Sequence, residues 1–144
     1  MKKLILMGAL LAFGCGSKNG FAAFVVNQDA QSAGSKPGKS YSAEPCSFEM
    51  TDKIFTVESG QSGSPSHLRL VVGYSGDMNK DLSKTLNGRE GEVQLEAQKY
   101  ELEKITVTVQ TLEGEVARGN FNARIKGQNP PWEVVGSFDA KIKL

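Results

Sequence analysis

From about residue 44 onward, apolar and polar residues alternate along most of the chain, which is the pattern of half-buried β-strands. In residues 67–74, for example, Leu68, Leu70 and Val72 fall on one face of an extended chain. The other segments with this pattern are Ser47–Met50, Lys53–Val57, Glu92–Ala97, Lys99–Gln110, Gly119–Lys126 and Gly136–Lys143. Because turn residues separate these segments and no helical pattern alternates with them, the sequence predicts an all-β fold. We expect a single antiparallel β-sandwich or barrel of about 6–8 strands.

Two segments depart from the simple alternation. In residues 76–86 an apolar residue recurs every four positions and Asp77 can cap the first turn, which favours one short helix. Further along the chain, the buried parity changes between Leu102 and Ile105. One extra residue must absorb that change, so the sequence predicts a β-bulge near residues 103–104.

The segment Gly119–Lys126 recurs as Gly136–Lys143 at an offset of seventeen residues. In both copies the Phe, Ala and Ile side chains share one face, so the repeat encodes the same half-buried strand twice. Inward residues pair with inward residues across an antiparallel ladder, which predicts Phe121 opposite Phe138. We interpret this inward face as core, with a ligand-lined barrel as the less favoured interpretation.

The same pairing rule applies to the hairpin that precedes the repeat. A three-residue loop at 113–115 pairs Val107 with Phe121, which both face inward. A two-residue loop at Glu113-Gly would instead pair inward-facing residues with outward-facing ones. A three-residue hairpin loop needs a residue in the left-handed region, and Gly114 supplies it. The sequence therefore predicts three consecutive antiparallel strands over 99–144.

Residues 15–43 differ in composition from the domain predicted over 44–144. They are rich in Gly, Ser, Ala, Asn, Gln and Lys, and such a composition favours a flexible tether over a packed core. The apolar segment Phe21–Val26 is the exception. It fits either a short strand at the edge of the domain or a second docking point near a membrane, and we favour the strand.

The first fifteen residues have the layout of a secretory signal peptide. Residues 1–3 give a basic start, and residues 4–13 form an apolar run that is too short for a bilayer core, which needs about 20 residues. The run ends in Leu-Ala-Phe-Gly-Cys at 11–15, which resembles the lipobox of bacterial lipoprotein precursors. The resemblance implies that residues 1–14 are removed and that Cys15 carries a thioether-linked diacylglycerol.

By this resemblance the chain is a lipid-anchored protein of the bacterial cell envelope, at the outer membrane or the periplasmic face of a membrane. One alternative is ordinary cleavage after Gly14 or Ala22, which yields a periplasmic protein without lipid; an uncleaved apolar anchor is the other. The chain has two cysteines, Cys15 and Cys46. A lipid on Cys15 leaves Cys46 as a single thiol, which we expect to be buried, whereas an unmodified Cys15 permits a bridge between the two.

Charge limits the classes of partner. The full chain carries 17 basic and 16 acidic residues, and residues 1–14 hold two of the lysines and no acid. The remaining chain therefore has a net charge of −1. Nucleic acids bind strongly basic surfaces, so we do not expect one as a partner. A near-neutral domain also leaves the lipid on Cys15 as the means of membrane attachment.

The sequence contains no constellation with catalytic or metal-binding spacing. His67 is the only histidine, and alternation places it opposite Leu68 on a face that we expect to be solvent-exposed. No Gly-x-Ser-x-Gly elbow accompanies it. Residues 77–88 begin like a calcium loop, but Leu82 and Gly88 occupy the positions that require Gly and Glu. We therefore expect no enzymatic activity, no metal and no cofactor.

An acidic band is the other candidate for acid–base chemistry. It consists of Glu90, Glu92, Glu96, Glu101 and Glu103. Paired carboxylates perform acid–base catalysis in many hydrolases. Glu92 and Glu96, however, alternate with core residues, so we interpret the band as a solvated strand face.

Trp132 is the residue that we expect to contact a partner or ligand. It follows Asn129-Pro-Pro in a loop, where an aromatic side chain can stack on a sugar or a protein surface, or pack over the end of the sheet. Three functions remain open. The favoured one is a binding or structural module that contacts an envelope protein or a glycan; a carrier of an apolar ligand in a barrel cavity and a hydrolase are the alternatives.

Overall fold

The computed structural model describes residues 20–28, 38–61 and 65–143. Its nine strands are β1 (Gly20–Asn27), β2 (Lys39–Ala43), β3 (Cys46–Met50), β4 (Ile54–Ser59), β5 (Ser66–Gly73), β6 (Thr85–Leu95), β7 (Gln98–Glu113), β8 (Val116–Ile125) and β9 (Trp132–Lys143). The predicted all-β class is confirmed. Cys15 and the proposed signal segment 1–14 lie outside the described residues.

Strands β3 to β9 close into a seven-stranded barrel. They are hydrogen-bonded in chain order, and β9 closes the ring by pairing with β3. One edge of β9 pairs with β8, and the other edge is shared. Residues 133–140 of that shared edge pair with β1, whereas residues 141–143 pair with β3 in the one parallel contact of the described sheet. β2 then pairs with β1, so two further strands extend the barrel wall.

Large apolar side chains fill the interior of the barrel. Phe48 and Phe55 stack with their ring centroids 5.0 Å apart. Phe121 and Phe138, the aromatic residues of the sequence repeat, are each 3% exposed and belong to the same core cluster. Burial of this apolar surface is the main favourable contribution to folding.

The predicted tether over 15–43 is wrong for residues 20–27 and 39–43, which form β1 and β2. Within β1 the alternating residues Ala22, Phe24 and Val26 are at most 2% exposed, which confirms the strand interpretation of its apolar segment. Averaging the composition over the whole region hid this short alternation. The described sheet therefore includes β1 and β2, which precede residue 44, in addition to the barrel strands.

The predicted helix over 76–86 does not form. Residues 78–80 make a single turn in which the side chain of Asp77 accepts a hydrogen bond from the Asn79 amide at 3.0 Å. Met78 enters the core and is 3% exposed. Ser83, at φ 70°, then donates its amide hydrogen to the Val109 carbonyl, so the chain binds the barrel end instead of continuing a helix.

The predicted β-bulge in β7 is confirmed. The β7–β8 register shifts between Glu103 and Thr106, where Lys104 and Ile105 together fill the place of one residue opposite Ala123. Lys104 has φ 51°. The bulge returns the apolar side chains of both halves of β7 to the interior, which is the change of parity that the sequence required.

The β7–β8 turn differs from the predicted three-residue loop. Glu113 pairs with Val116, so the loop contains two residues, of which Gly114 has the expected positive φ of 59°. A second bulge between Val109 and Thr111 inserts the extra residue that keeps inward-facing residues of β7 opposite inward-facing residues of β8. Val107 consequently pairs with its predicted partner on β8, and β7, β8 and β9 are consecutive antiparallel strands as predicted.

The register between β8 and β9 is shifted by two residues from the predicted one. Phe121 faces Gly136, and Phe138 faces Gly119, whereas the sequence suggested the two rings opposite each other. Both rings still point inward, because a two-residue shift preserves the faces of a strand. Each ring is paired across the ladder with a glycine, and a β-carbon on Gly119 would lie 2.8 Å from Cζ of Phe138.

The turn between β6 and β7 is strained. Glu96 and Ala97 both have positive φ, 51° and 72°, in a two-residue loop that usually contains Asn-Gly. We expect Ala97→Gly to raise the free energy of unfolding by about 1 kcal/mol, because glycine removes the steric cost of the left-handed conformation. Thermal and urea denaturation measure the change. The matched variant Ala117→Gly, at a fully buried strand position, should instead be destabilised; a loss of stability in both variants would contradict the assignment of strain.

Candidate functional site

A groove of about 520 Å³ lies on the outer face of the barrel where β9, β3 and β4 are neighbours. Ser47 is at its centre and pairs with Glu58 on one side and Lys141 on the other. Alternation places these side chains outward, because their strand neighbours are buried in the core. The full lining is Pro45, Cys46, Ser47, Glu58, Gly60, Gln61, Lys141, Ile142 and Lys143.

The charges around this groove are arranged by strand. Lys141 and Lys143 are both exposed on β9, and neither forms an ion pair with any residue that the structure describes. On the opposite side, Glu58 extends from β4, with its side chain 41% exposed. The lining of the groove therefore contains two cations and one carboxylate around Ser47, and Glu49 of β3 lies opposite Lys143 in the ladder beside it.

His67 lies next to this groove and not in solvent. Its side chain is 2% exposed, so the prediction of a surface histidine is wrong. Nε2 of His67 lies at hydrogen-bonding distance, 2.9 Å, from Oε2 of Glu58. Nδ1 is buried and has no hydrogen-bond partner within the described ranges. Alternation determined the face of the strand, but it carried no information on what covers that face.

The histidine and its carboxylate hold each other in place. Within 20–28, 38–61 and 65–143, no group of three His, Cys, Asp or Glu residues is close enough to hold a metal ion. His67 lies opposite Gln94 on β6, which is also buried at 4% exposure. The contact with His67 holds the Glu58 side chain in a fixed orientation at the edge of the groove.

Trp132 is the first residue of β9 and pairs with Ile125. It is half-buried, and its ring packs at 53° against Tyr100 with the centroids 5.6 Å apart. Beside it, Arg124 and Glu133 form an ion pair at 3.5 Å. Part of the indole therefore stabilises the end of the barrel, and contact of its exposed part with a partner remains a prediction.

The glutamates of the acidic band lie in different surroundings. Glu92 and Glu101 face each other across β6 and β7, and both line a second outer groove of about 400 Å³. Arg69, Arg89 and Lys126 line the same groove and supply the opposite charge. This mixture of signs is typical of a solvated barrel wall.

Glu96, at the β6–β7 turn, has a different environment from the rest of the band. Its carboxylate accepts hydrogen bonds from Lys39 and from the Tyr41 hydroxyl of β2. These contacts, the lysine first, lower the pKa of Glu96. Sequence reasoning missed this contact because Lys39 and Tyr41 lie in the segment that was interpreted as a tether.

Cys46 is a buried free thiol, 1% exposed, as predicted. Burial raises the pKa of the Cys46 thiol to about 12. Since the thiolate is the reactive form, we expect a thiol reagent at pH 8 to label the folded Cys15→Ser chain at least about a thousandfold more slowly than the chain unfolded in guanidinium. Rapid stoichiometric labelling of the folded chain would contradict the buried position.

Sequence reasoning also missed Ser47, Lys141 and Lys143 as a group. The groove depends on the parallel pairing of β3 with β9. Strands so far apart in sequence carry no local signal of being neighbours. The sequence-predicted site residue Trp132 is not among the residues that line the groove.

Among the described residues, no helix is long and apolar enough to cross a membrane. Comparisons with protein-family models, with curated proteins and with solved structures found no match.

Proposed function

We propose that this protein is a lipid-anchored binding module of the bacterial cell envelope, with no catalytic activity of its own. The lipid is attached to Cys15, and the barrel is displayed at the membrane surface. The observation that carries the proposal is the lipobox-like ending of the apolar run at Cys15, five positions before β1 begins at Gly20. A short link of this kind favours a domain held close to the bilayer, in contrast to one on a long tether.

Binding through the outer surface is favoured over transport of an apolar ligand. Leu70, Phe121 and Phe138, which would line a carrier cavity, are at most 3% exposed and belong to one packed core cluster. The outer wall, by contrast, carries the groove around Ser47 and the exposed part of Trp132. The exposed part of Trp132 is suited to contact with a glycan or an envelope protein.

Intact-mass analysis of the membrane fraction tests the anchor. We expect a species that begins at Cys15 and carries the added mass of a diacylglyceryl group and an acyl chain. The Cys15→Ser variant is the control and should leave the membrane fraction. A soluble wild-type product that begins after Ala22 would overturn the lipid anchor.

Fluorescence of the single tryptophan tests contact at Trp132. We expect soluble cell-wall glycan fragments to shift its emission and the Trp132→Ala variant to bind these fragments more weakly. Trp132→Phe keeps an aromatic ring against Tyr100 and should retain more binding, which separates contact from folding. Unchanged emission at saturating glycan, together with unchanged affinity of the alanine variant, would contradict a glycan contact at this residue.

A further inference from the structure

We propose that the groove between β9, β3 and β4 binds the phosphoethanolamine headgroup of a phospholipid in the membrane that holds the lipid anchor. The proposal rests on the proposed lipoprotein function for its location. The phosphate lies against Lys141 and Lys143, and the ammonium donates hydrogen bonds to Glu58. The groove thereby orients the barrel against the bilayer surface.

The charge pattern of the groove selects a ligand with both signs. Lys141 and Lys143 lack an anionic partner in the described ranges, and an ammonium on a flexible stem is a good donor to phosphate. A purely anionic ligand would bring its negative charge close to the Glu58 carboxylate, which would repel it. A zwitterion with a phosphate and a primary ammonium satisfies all three side chains.

Glu58 is positioned for the ammonium. His67, nearly fully buried, holds one carboxylate oxygen at 2.9 Å, while the side chain as a whole remains 41% exposed to the groove. A primary ammonium has three hydrogens to donate to this carboxylate, whereas the trimethylammonium of choline has none. The groove should therefore discriminate between two headgroups of equal net charge.

The groove adjoins the point where the anchored segment enters the fold. Gly20 fits between β9 and β3 so closely that a β-carbon there would lie 2.5 Å from the Asp139 carbonyl oxygen and 2.7 Å from that of Cys46, a groove residue. Five peptide units separate Gly20 from Cys15, so their Cα atoms are at most about 18 Å apart. A lipid on Cys15 consequently brings this side of the barrel to the headgroup layer.

The volume of the groove suits a headgroup with part of its glycerol backbone. At about 520 Å³ it falls within the range of roughly 300–1,000 Å³ that is typical of small-molecule sites. Its apolar lining, from Pro45 and Ile142, offers contact to the carbon atoms between the two charged groups. Both the polar and the apolar parts of the ligand therefore have partners.

Vesicle flotation tests the proposal with the full chain carrying Cys15→Ser, which has no acyl chain of its own. We expect this protein to bind vesicles of phosphatidylcholine mixed with phosphatidylethanolamine more tightly than pure phosphatidylcholine vesicles. Lys141→Gln/Lys143→Gln should weaken that binding at least about tenfold, as expected for loss of charge-assisted hydrogen bonds to the phosphate. Glu58→Gln should reduce the preference for phosphatidylethanolamine about tenfold, as expected for loss of a charge-assisted hydrogen bond.

Lys80→Gln/Lys99→Gln is the matched control, because it removes two exposed lysines that form no described ion pair elsewhere on the surface. An equal loss in this control, or equal binding to both kinds of vesicle, would overturn the proposal. Binding of soluble phosphoethanolamine without vesicle binding would overturn the lipid as the source of the ligand. Urea denaturation checks that each variant is folded, and the lysine variants decide the result if Glu58→Gln is not.

The two proposals fail separately. The flotation experiment uses a protein that cannot be lipidated, so its result does not depend on acylation of Cys15. Vesicle binding with no acylated species in the membrane fraction would reject the anchor alone. Acylated protein whose Cys15→Ser form does not distinguish the two headgroups would reject the groove assignment alone.

Discussion

We expect Phe24→Ala to lower the free energy of unfolding by about 3–5 kcal/mol, the usual cost of removing a fully buried phenylalanine. Phe24 is 2% exposed in β1. Its ring stacks on Tyr41 at a centroid distance of 5.6 Å and meets Phe121 at 6.3 Å. The substitution removes contacts to both β2 and β8, and thus tests whether the N-terminal strands belong to the barrel.

Phe21→Ala is the matched control for this prediction. It removes the same side chain from the same strand, but from the outer face, where Phe21 is only half-buried. We expect a clearly smaller loss, because the apolar area removed from water on folding is smaller. Urea denaturation followed by far-ultraviolet circular dichroism measures both variants. Equal, small losses in the two variants would mean that β1 contributes little to the core and would support a tether.

The second large effect is expected at Gly119. A β-carbon on this residue would overlap the Thr108 carbonyl oxygen and lie 2.8 Å from Cζ of Phe138. Because one of these atoms belongs to the backbone, relief requires movement of β7 or β8 and not a rotamer change. We expect Gly119→Ala to lower the free energy of unfolding by about 3 kcal/mol, at the upper end of typical overpacking effects.

Gly114→Ala provides the comparison for this substitution. It makes the same chemical change in the hairpin that leads into β8, but a β-carbon there has no atom within 4 Å. Only the positive φ of 59° opposes it, which costs about 1 kcal/mol. Both substitutions stiffen the unfolded chain alike, so the difference between them isolates the steric overlap. If Gly119→Ala were as mild as Gly114→Ala, the pairing of Phe138 with Gly119 in the structure would be contradicted.

The bulge in β7 shows what sequence patterns predict well. The inward-facing positions of β7 change from even to odd residue numbers between Leu102 and Ile105. This change requires one extra residue in the strand, and the structure has the bulge at that place. The β8–β9 register shows the limit of the same reasoning. Alternation determines the face of Phe121 and Phe138, but shifts by two residues leave the faces unchanged. Alternation therefore does not distinguish the predicted register from the one in the structure, in which each ring is paired with a glycine.

The N-terminal strands were harder to predict for a related reason. β2 consists of Lys-Ser-Tyr-Ser-Ala, whose composition is that of a linker. It becomes a strand because β1 offers a row of backbone hydrogen-bonding groups, and Tyr41 covers Phe24. Neither stabilising contact is visible from the local sequence of residues 39–43.

The sequence by itself determined the all-β class, the inward face of each main strand and the bulge in β7, because alternation and turn residues are local properties. The tertiary structure alone decided that β1 and β2 join the sheet, that His67 is buried, and that Lys141, Ser47 and Glu58 form one groove. The groove depends on the parallel contact between β9 and β3, which lie more than 80 residues apart in the chain. The N-terminal strands join through the antiparallel pairing of β1 with β9, which is also distant in sequence, and of β2 with β1. Such a pairing is selected by packing of the whole core, and no short segment encodes it.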